Sequence, residues 1–197
     1  MNIEIDAKGQ ACPKPVIMTK KELDNIEEGT VTTIVDNMVA KENILKLANS
    51  LGYEYKVEEG EGEYRIHIAK EKPKMDSSTS TSDKLKEATV VFSSNTMGKG
   101  SKELGEILIK SFIYTMTEVV PLPSTLVFYN EGVMQTCKGS EVIEDLKKLE
   151  EEGVEILVCG TCLDFFDLKD EIKVGEISNM YTIYEKLKES MKTITIG

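Results

Sequence analysis

Cationic side chains, histidine and cysteine are all scarce in this chain, and each shortage removes a class of function. Lysine and arginine total 24 against 35 aspartates and glutamates, a formal net charge of −11. Nucleic-acid backbones and anionic membranes both reward a basic face, so neither is expected as a partner, and basic protein surfaces are favoured instead. No apolar run approaches the roughly eighteen residues that a membrane helix requires. The first residues, MNIEIDAKG, put charges where a secretory signal needs an apolar core. The expected compartment is the cytoplasm. Four cysteines, Cys12, Cys137, Cys159 and Cys162, are too few and too unevenly spaced for a disulfide scaffold, which leaves reactive or metal-binding roles. A closed zinc site would need two ligands beyond a cysteine pair. Cys137 is one candidate, Cys12 a remote second, and the single histidine, His67, falls on the outer sheet face of the first domain, so no metal is expected.

At 197 residues and 40% hydrophobic, the chain can bury a substantial core in one or two domains. Ile3 and Ile5 alternate with polar neighbours as in a half-buried strand, and residues 13–26 carry a helical pattern through Val16, Ile17, Leu23 and Ile26. Gly29 closes that unit. Residues 31–35 read as a strand and 40–51 as a helix stopped by Gly52. Tyr53, Tyr55 and Val57 alternate, a glycine turn follows, and Tyr64, Ile66 and Ile68 alternate again. The order β-α-β-α-β-β predicts a two-layer sandwich over residues 1–70, with His67 turned toward solvent. Residues 71–87 lose apolar periodicity and gain Ser, Thr, Lys and Pro, the composition of a flexible linker whose reach lets two active sites meet. Over residues 88–197, near-continuous apolar runs at 89–93, 125–129, 155–159 and 193–196 alternate with helical stretches at 102–116, 140–152 and 180–191. That alternation predicts a parallel-sheet, three-layer α/β/α domain whose functional crevice lies at the carboxyl ends of the strands. Segments 93–101, 130–137 and 159–162 end there. The first, SSNTMGKGS, lacks the spacing of a phosphate-binding loop and reads as a tight turn. Asp164, Asp167 and Asp170 read as a solvated face.

Cys12 lies between a glycine-containing loop and the start of a predicted helix. Pro13 and Pro15 are tolerated in a first helical turn, which makes Cys12 the expected N-cap. A helix N-terminus favours thiolate over thiol, and Lys14, Lys20 and Lys21 add to the field if they turn toward the sulfur. The pattern Asp6, Gly9, Cys12-Pro13-Lys14-Pro15, Lys21, Leu23 resembles the signature of the TusA/SirA-like sulfur carriers over about the first seventy residues. The resemblance implies that Cys12 carries a persulfide received from a cysteine desulfurase or another sulfur or selenium donor and passed to an acceptor protein. Lys14 departs from the acidic residue common at its position in that family.

Cys159-Gly160-Thr161-Cys162 falls where a strand should end and a short helix begin, with both sulfurs within mutual reach. A single CxxC serves persulfide transfer, dithiol redox work or half a zinc site, and two buried cysteines can also share this spacing by chance. The stretch from 158 to 187, with the strand-end loop that holds Asn130 and Gly132, resembles the DsrE-like domains of sulfur-relay proteins, whose active cysteine follows the third strand. A carrier domain fused to a DsrE-like domain is similar to the YedF group of sulfurtransferase-like proteins associated with selenium metabolism. The resemblance implies a sulfur or selenium carrier, with no cofactor beyond a transient persulfide or selenium adduct, and with Cys137 as a further thiol. It also allows a homo-oligomer through the C-terminal domain. A dithiol redox protein and a non-catalytic adaptor in a sulfur-relay complex are the alternatives.

Overall fold

Alternating apolar residues in the first half build four strands, and the near-continuous runs of the second half build a separate parallel sheet. The computed structural model describes residues 1–11, 13–60, 62–71 and 88–197. The chain divides into two units, Met1–Ser78 and Thr79–Gly197. All of the expected linker except Glu71 lies outside the described residues.

The first unit runs β1 (Asn2–Asp6), α1 (Lys14–Asn25), β2 (Gly29–Val35), α2 (Met38–Leu51), β3 (Glu54–Gly60) and β4 (Glu63–Lys70). Its sheet order is β1-β2-β4-β3, with β1 parallel to β2 and the other pairs antiparallel. Both helices cover one face, where Leu23, Ile44 and Ala48 bury against Val31, Ile66 and Ile68. Gly29 opens β2 instead of closing the preceding unit, because Met1 lies so close that a Cβ at residue 29 would stand 1.9 Å from the Met1 carbonyl oxygen. Gly52 stops α2 in the left-handed region, at φ 70°. His67 is on the sheet face away from the helices, yet it is not free in solvent. Its Nδ1 shares a hydrogen bond with Thr32 Oγ1 at 2.9 Å.

One polar feature interrupts this core. Thr19 of α1 and Thr33 of β2 are fully buried, their hydroxyls 2.8 Å apart, and Thr19 Oγ1 also lies 2.8 Å from the Pro15 carbonyl, which accepts from it. A helix propensity scale would disfavour threonine there, but both hydroxyls are satisfied.

The second unit runs β5 (Ala88–Phe92), α3 (Lys102–Glu118), β6 (Thr125–Phe128), a 3-10 segment (Asn130–Thr136), α4 (Ile143–Glu151), β7 (Glu155–Cys159), α5 (Gly160–Phe165), a 3-10 turn (Lys169–Glu171), β8 (Glu176–Ser178), α6 (Met180–Glu189) and β9 (Lys192–Ile196). The strand order β8-β7-β6-β5-β9 is parallel throughout. Successive strands step outward from β5 to β8, and the chain then returns across the sheet to β9. Right-handed crossovers therefore put α3 and α4 on one face and α6 on the other, which gives the three layers. Every residue of β5 and β6 is buried, and the Phe92 and Phe128 rings stack at 4.7 Å. The sequence gives no sign of β8, which has three residues, two of them exposed. The helix expected from residue 140 starts at Ile143, because Ser140 Oγ accepts the Val142 N–H and holds a turn there.

The threonine pair is testable by equilibrium unfolding. Thr19→Val leaves the Thr33 hydroxyl dry and is expected to destabilise the first unit by about 1–3 kcal/mol. Thr19→Val/Thr33→Val, with both hydroxyls gone, should recover part of that loss in urea titrations of the full chain.

Candidate functional site

Cys12 itself lies outside the described residues, but the segments on either side of it are defined. The expectation that it caps α1 is corrected. Pro13 holds the N-cap position (φ −98°, ψ 6°) and α1 starts at Lys14 with Pro15 second. The Lys14 N–H donates to the Ala11 carbonyl at 3.0 Å, a turn that delays the helix by one residue and leaves Cys12 just ahead of the cap. Pro13 has no N–H to lose, and its carbonyl accepts from Val16 and Ile17 at 3.1 and 3.2 Å. Of the three lysines expected to lend charge, Lys20 is engaged with Asp24 at 2.6 Å, while Lys14 and Lys21 are exposed.

Asp36, which with Asn37 and Asn43 only loosely matches the acidic stretch of the sulfur carriers, ties the loop before Cys12 to the start of α2. Its carboxylate accepts from Asn37 Nδ2 at 3.1 Å and from the Gly9 N–H at 2.8 Å, and these two bonds hold its pKa below the usual carboxylate range. The loop before Cys12 is thereby pinned to the loop that opens α2, where Asn37 Oδ1 caps the helix by accepting the Ala40 N–H at 2.9 Å. A pocket of about 170 Å³ lies between the two helix starts, with Gln10, Ala11 and Val16 on one side and Asn37 and Asn43 on the other.

In the second unit β7 ends at Cys159, which is the N-cap of α5 and only 2% exposed. Cys162, three residues on, is half-buried. Its sulfur accepts the Asn130 N–H at 3.0 Å. That donor is aimed by an unusual backbone: Asn130 leaves β6 with φ 51°, in the left-handed region that asparagine tolerates better than most side chains. Two residues later Gly132 lies against the end of β5, where a Cβ would stand 2.1 Å from the Phe92 carbonyl oxygen. Only glycine permits that approach.

The expected acidification of this pair is reversed at Cys162. Burial pushes its thiol up, the Asn130 N–H opposes the shift, and the neighbouring Cys159 thiol, which shares a hydrogen bond with it, raises it further. Withdrawal from water outweighs one backbone donor. Cys137 is also buried and its thiol also pushed up by burial. It closes the 3-10 segment and donates to the Val133 carbonyl at 3.3 Å. Phe165, one turn beyond Cys162, is 81% exposed and meets Phe166 edge-on at 5.1 Å. Asp164 pairs with Lys169 at 3.0 Å on the surface, and among the described residues no three His, Cys, Asp or Glu side chains converge as a metal cage. The segment 93–101 folds back on α3, with the Met97 N–H donating to the Gly105 carbonyl at 3.0 Å.

Two family models match this chain. "Sulfurtransferase TusA" covers residues 3–70, and the "DsrE/DsrF-like family" covers residues 73–196. The chain belongs to the DsrE/DsrF-like family and carries a TusA/SirA-like sulfur-carrier domain ahead of it. The TusA-like domain is 41% identical over 69 residues to the "Putative sulfur carrier protein" of Methanocaldococcus jannaschii, covering 34% of this chain and 92% of that protein. A protein of Bacillus subtilis with the same description is 37% identical over 67 residues, which span 34% of this chain and 36% of the relative. Among solved structures, a SirA-like protein from Desulfitobacterium hafniense is 39% identical, with a TM-score of 0.34, and the match covers 35% of this chain and 96% of that one. Those three likenesses concern the TusA-like domain. The DsrE-like domain, with its thiol pair, rests on the family match and on its own geometry.

The hydrogen bond onto Cys162 gives a measurable expectation. Alkylation of Cys162, followed by peptide mass, should rise with pH to a midpoint above the ordinary cysteine value of about 8.5. Gly132→Ala must displace the 3-10 segment and withdraw the Asn130 donor, so alkylation at neutral pH should slow by roughly tenfold, the equivalent of about 1.4 kcal/mol, while the thermal transition persists. An unchanged profile in that variant would show that the N–H does not act on the thiolate.

Proposed function

We propose that this protein relays sulfane sulfur, or selenium in its place, with Cys12 as the carrying thiol and the pair at the end of β7 as the accepting and discharging thiols. The observation that carries the reading is the inequality of that pair. Cys162 is the accessible sulfur, with a backbone donor at 3.0 Å, and Cys159 stands buried behind it. One thiol that meets a partner and one that resolves the product is the arrangement a discharge site needs. Sulfur-carrier relatives of the first domain support the same direction.

The steps balance as thiol chemistry. After losing its proton to solvent, Cys162 attacks the outer sulfur of the Cys12 persulfide. That S–S bond breaks, Cys12 leaves as thiolate, and the persulfide now resides on Cys162. Cys159 then attacks the inner sulfur of Cys162, forming the Cys159–Cys162 disulfide and expelling hydrosulfide, or hydroselenide from a selenium adduct. The nearness of the two thiols makes this second attack effectively unimolecular. A cellular thiol reductant restores the pair. Pro13 and Pro15 shape the Cys12 loop, Lys14 and Lys21 face the donor or acceptor protein, and Asn130 and Gly132 hold the accepting thiol. The reading places the protein in the cytoplasm, with a cysteine desulfurase or other sulfur or selenium donor upstream, an acceptor protein downstream, no resident cofactor, and self-association through the DsrE-like domain.

One observation favours a second reading, a dithiol oxidoreductase. Cys159 and Cys162 already share a hydrogen bond, as a pair poised for disulfide formation would. Intact mass spectrometry after incubation with a cysteine desulfurase and L-cysteine separates the two. The relay predicts that the full-length protein gains the mass of one sulfur atom, that Cys12→Ser abolishes the gain, and that Cys159→Ser traps the adduct on Cys162. Oxidation of the pair at the same rate with and without Cys12 would sink the relay and leave the dithiol reading.

A further inference from the structure

A cavity of the DsrE-like domain takes no part in the thiol chemistry above. It has a volume of about 510 Å³ and opens at the carboxyl ends of β5 and β6, beside the strand where the chain reverses its stepping direction. Open parallel sheets bind their ligands at such a place, and the volume is that of a small-molecule site. We propose that this cavity binds a low-molecular-weight thiol that carries both an ammonium and a carboxylate group.

The wall has the composition such a ligand would meet. Ile109, Phe166 and Leu168 supply an apolar lining, with Ile109 only 1% exposed, and Met134 adds a polarisable sulfur. At the mouth, Lys110 of α3 and Glu141 of the segment before α4 form an ion pair, with side chains 40% and 72% exposed. A pair so exposed costs little to open. Lys110 then takes a carboxylate and Glu141 takes an ammonium. A simple anion or cation would leave one of the two charges without a partner, so the mixed pair selects a zwitterion. Asn95 provides the neutral contact. Its Nδ2 donates to the Met134 thioether sulfur at 3.7 Å, a weak acceptor that a carboxylate oxygen would replace to advantage. Gln135, by contrast, is already spent: its Nε2 donates to the Asn95 carbonyl at 3.1 Å, and its Oε1 accepts from Ser140.

The choice of a thiol within the zwitterions rests on the relay reading, because a disulfide at Cys159–Cys162 calls for a reductant. The cavity and the pair share structure. Phe166, in the wall, donates its N–H to the Cys162 carbonyl at 3.1 Å. The 3-10 segment that presents Asn130 to Cys162 ends with Met134 and Gln135 in the same wall.

Reduced glutathione and L-cysteine are the probes, titrated by calorimetry into the full-length Cys12→Ser/Cys159→Ser/Cys162→Ser chain. That chain cannot relay sulfur, so failure of the relay leaves this measurement intact. Saturable binding of either probe is expected. The tripeptide binding more tightly identifies a peptide thiol, and equal affinities identify the amino-acid portion as the recognised unit. Loss of either charge should weaken binding by roughly tenfold, so Lys110→Met and Glu141→Gln should each show that drop, and cysteamine and 3-mercaptopropionate, which lack one charge each, should do the same. S-methylglutathione binding as tightly as glutathione would remove the thiol from the proposal. No saturable binding of either probe, or affinities unmoved by both substitutions, would overturn it.

Discussion

A single close approach governs the DsrE-like domain: the backbone of residue 132 lies on the carbonyl end of β5, nearer to the Phe92 oxygen than any side chain would allow. Three consequences follow from that one contact. The chain leaving β6 must turn at once, which puts Asn130 in the left-handed region. The turned N–H then faces Cys162 instead of continuing the sheet. The remainder of the 3-10 segment is laid over the strand ends, where Val133 and Thr136 are completely buried and Gln135 closes against the loop after β5. The hydrogen bond onto Cys162 and the wall of the neighbouring cavity thus depend on the same missing methyl group.

The segments that flank Cys12 and the Cys159–Cys162 pair are held by different physics. For the segments before and after Cys12 the restraints are polar and local: Pro13 at the N-cap of α1, the Asp36 carboxylate bonded to the Gly9 N–H and to Asn37, and a start of α2 capped by Asn37. Around Cys159 and Cys162 they are apolar and distant in sequence, because three adjacent strands and their loops must all be in place before the pair has its donor. A half-buried sulfur whose thiol is pushed up by burial is kept protonated until something draws the proton away.

Much of the fold was legible because both periodicities were clean. Alternation at Ile3/Ile5, Tyr53/Val57 and Ile66/Ile68 placed the first sheet, and the run Glu155–Cys159 is the observed β7 to the residue. β8 left no trace, since a three-residue edge strand with Glu176 and Ile177 exposed needs no apolar pattern. The CxxC was legible as a strand-end motif, and so was the segment that contains Asn130 and Gly132. The direction of the Cys162 shift was not, because it depends on how much surface other elements remove from the sulfur, and no local rule states that. The bond between Asp36 and Gly9 was equally hidden: the two residues are 27 positions apart, and only the parallel pairing of β1 and β2 brings their loops together. Cys12 and most of the linker, which carried much of the sequence reading, lie outside the described residues.

Beneath the Cys12 loop, the buried pair Thr19 and Thr33 has a mechanical meaning. A helix seated on a sheet by apolar contacts alone can roll or slide at small cost, since one methyl group fits a greasy surface much like another. Two buried hydroxyls bonded to each other, one of them also to the Pro15 carbonyl, work instead as a detent. Any roll of α1 separates them, and each then pays for its isolation. Because Pro15 is both the acceptor of the Thr19 hydroxyl and the second residue of the helix, the detent lies directly under the start of α1, so that the bearing of that helix is set from inside the core.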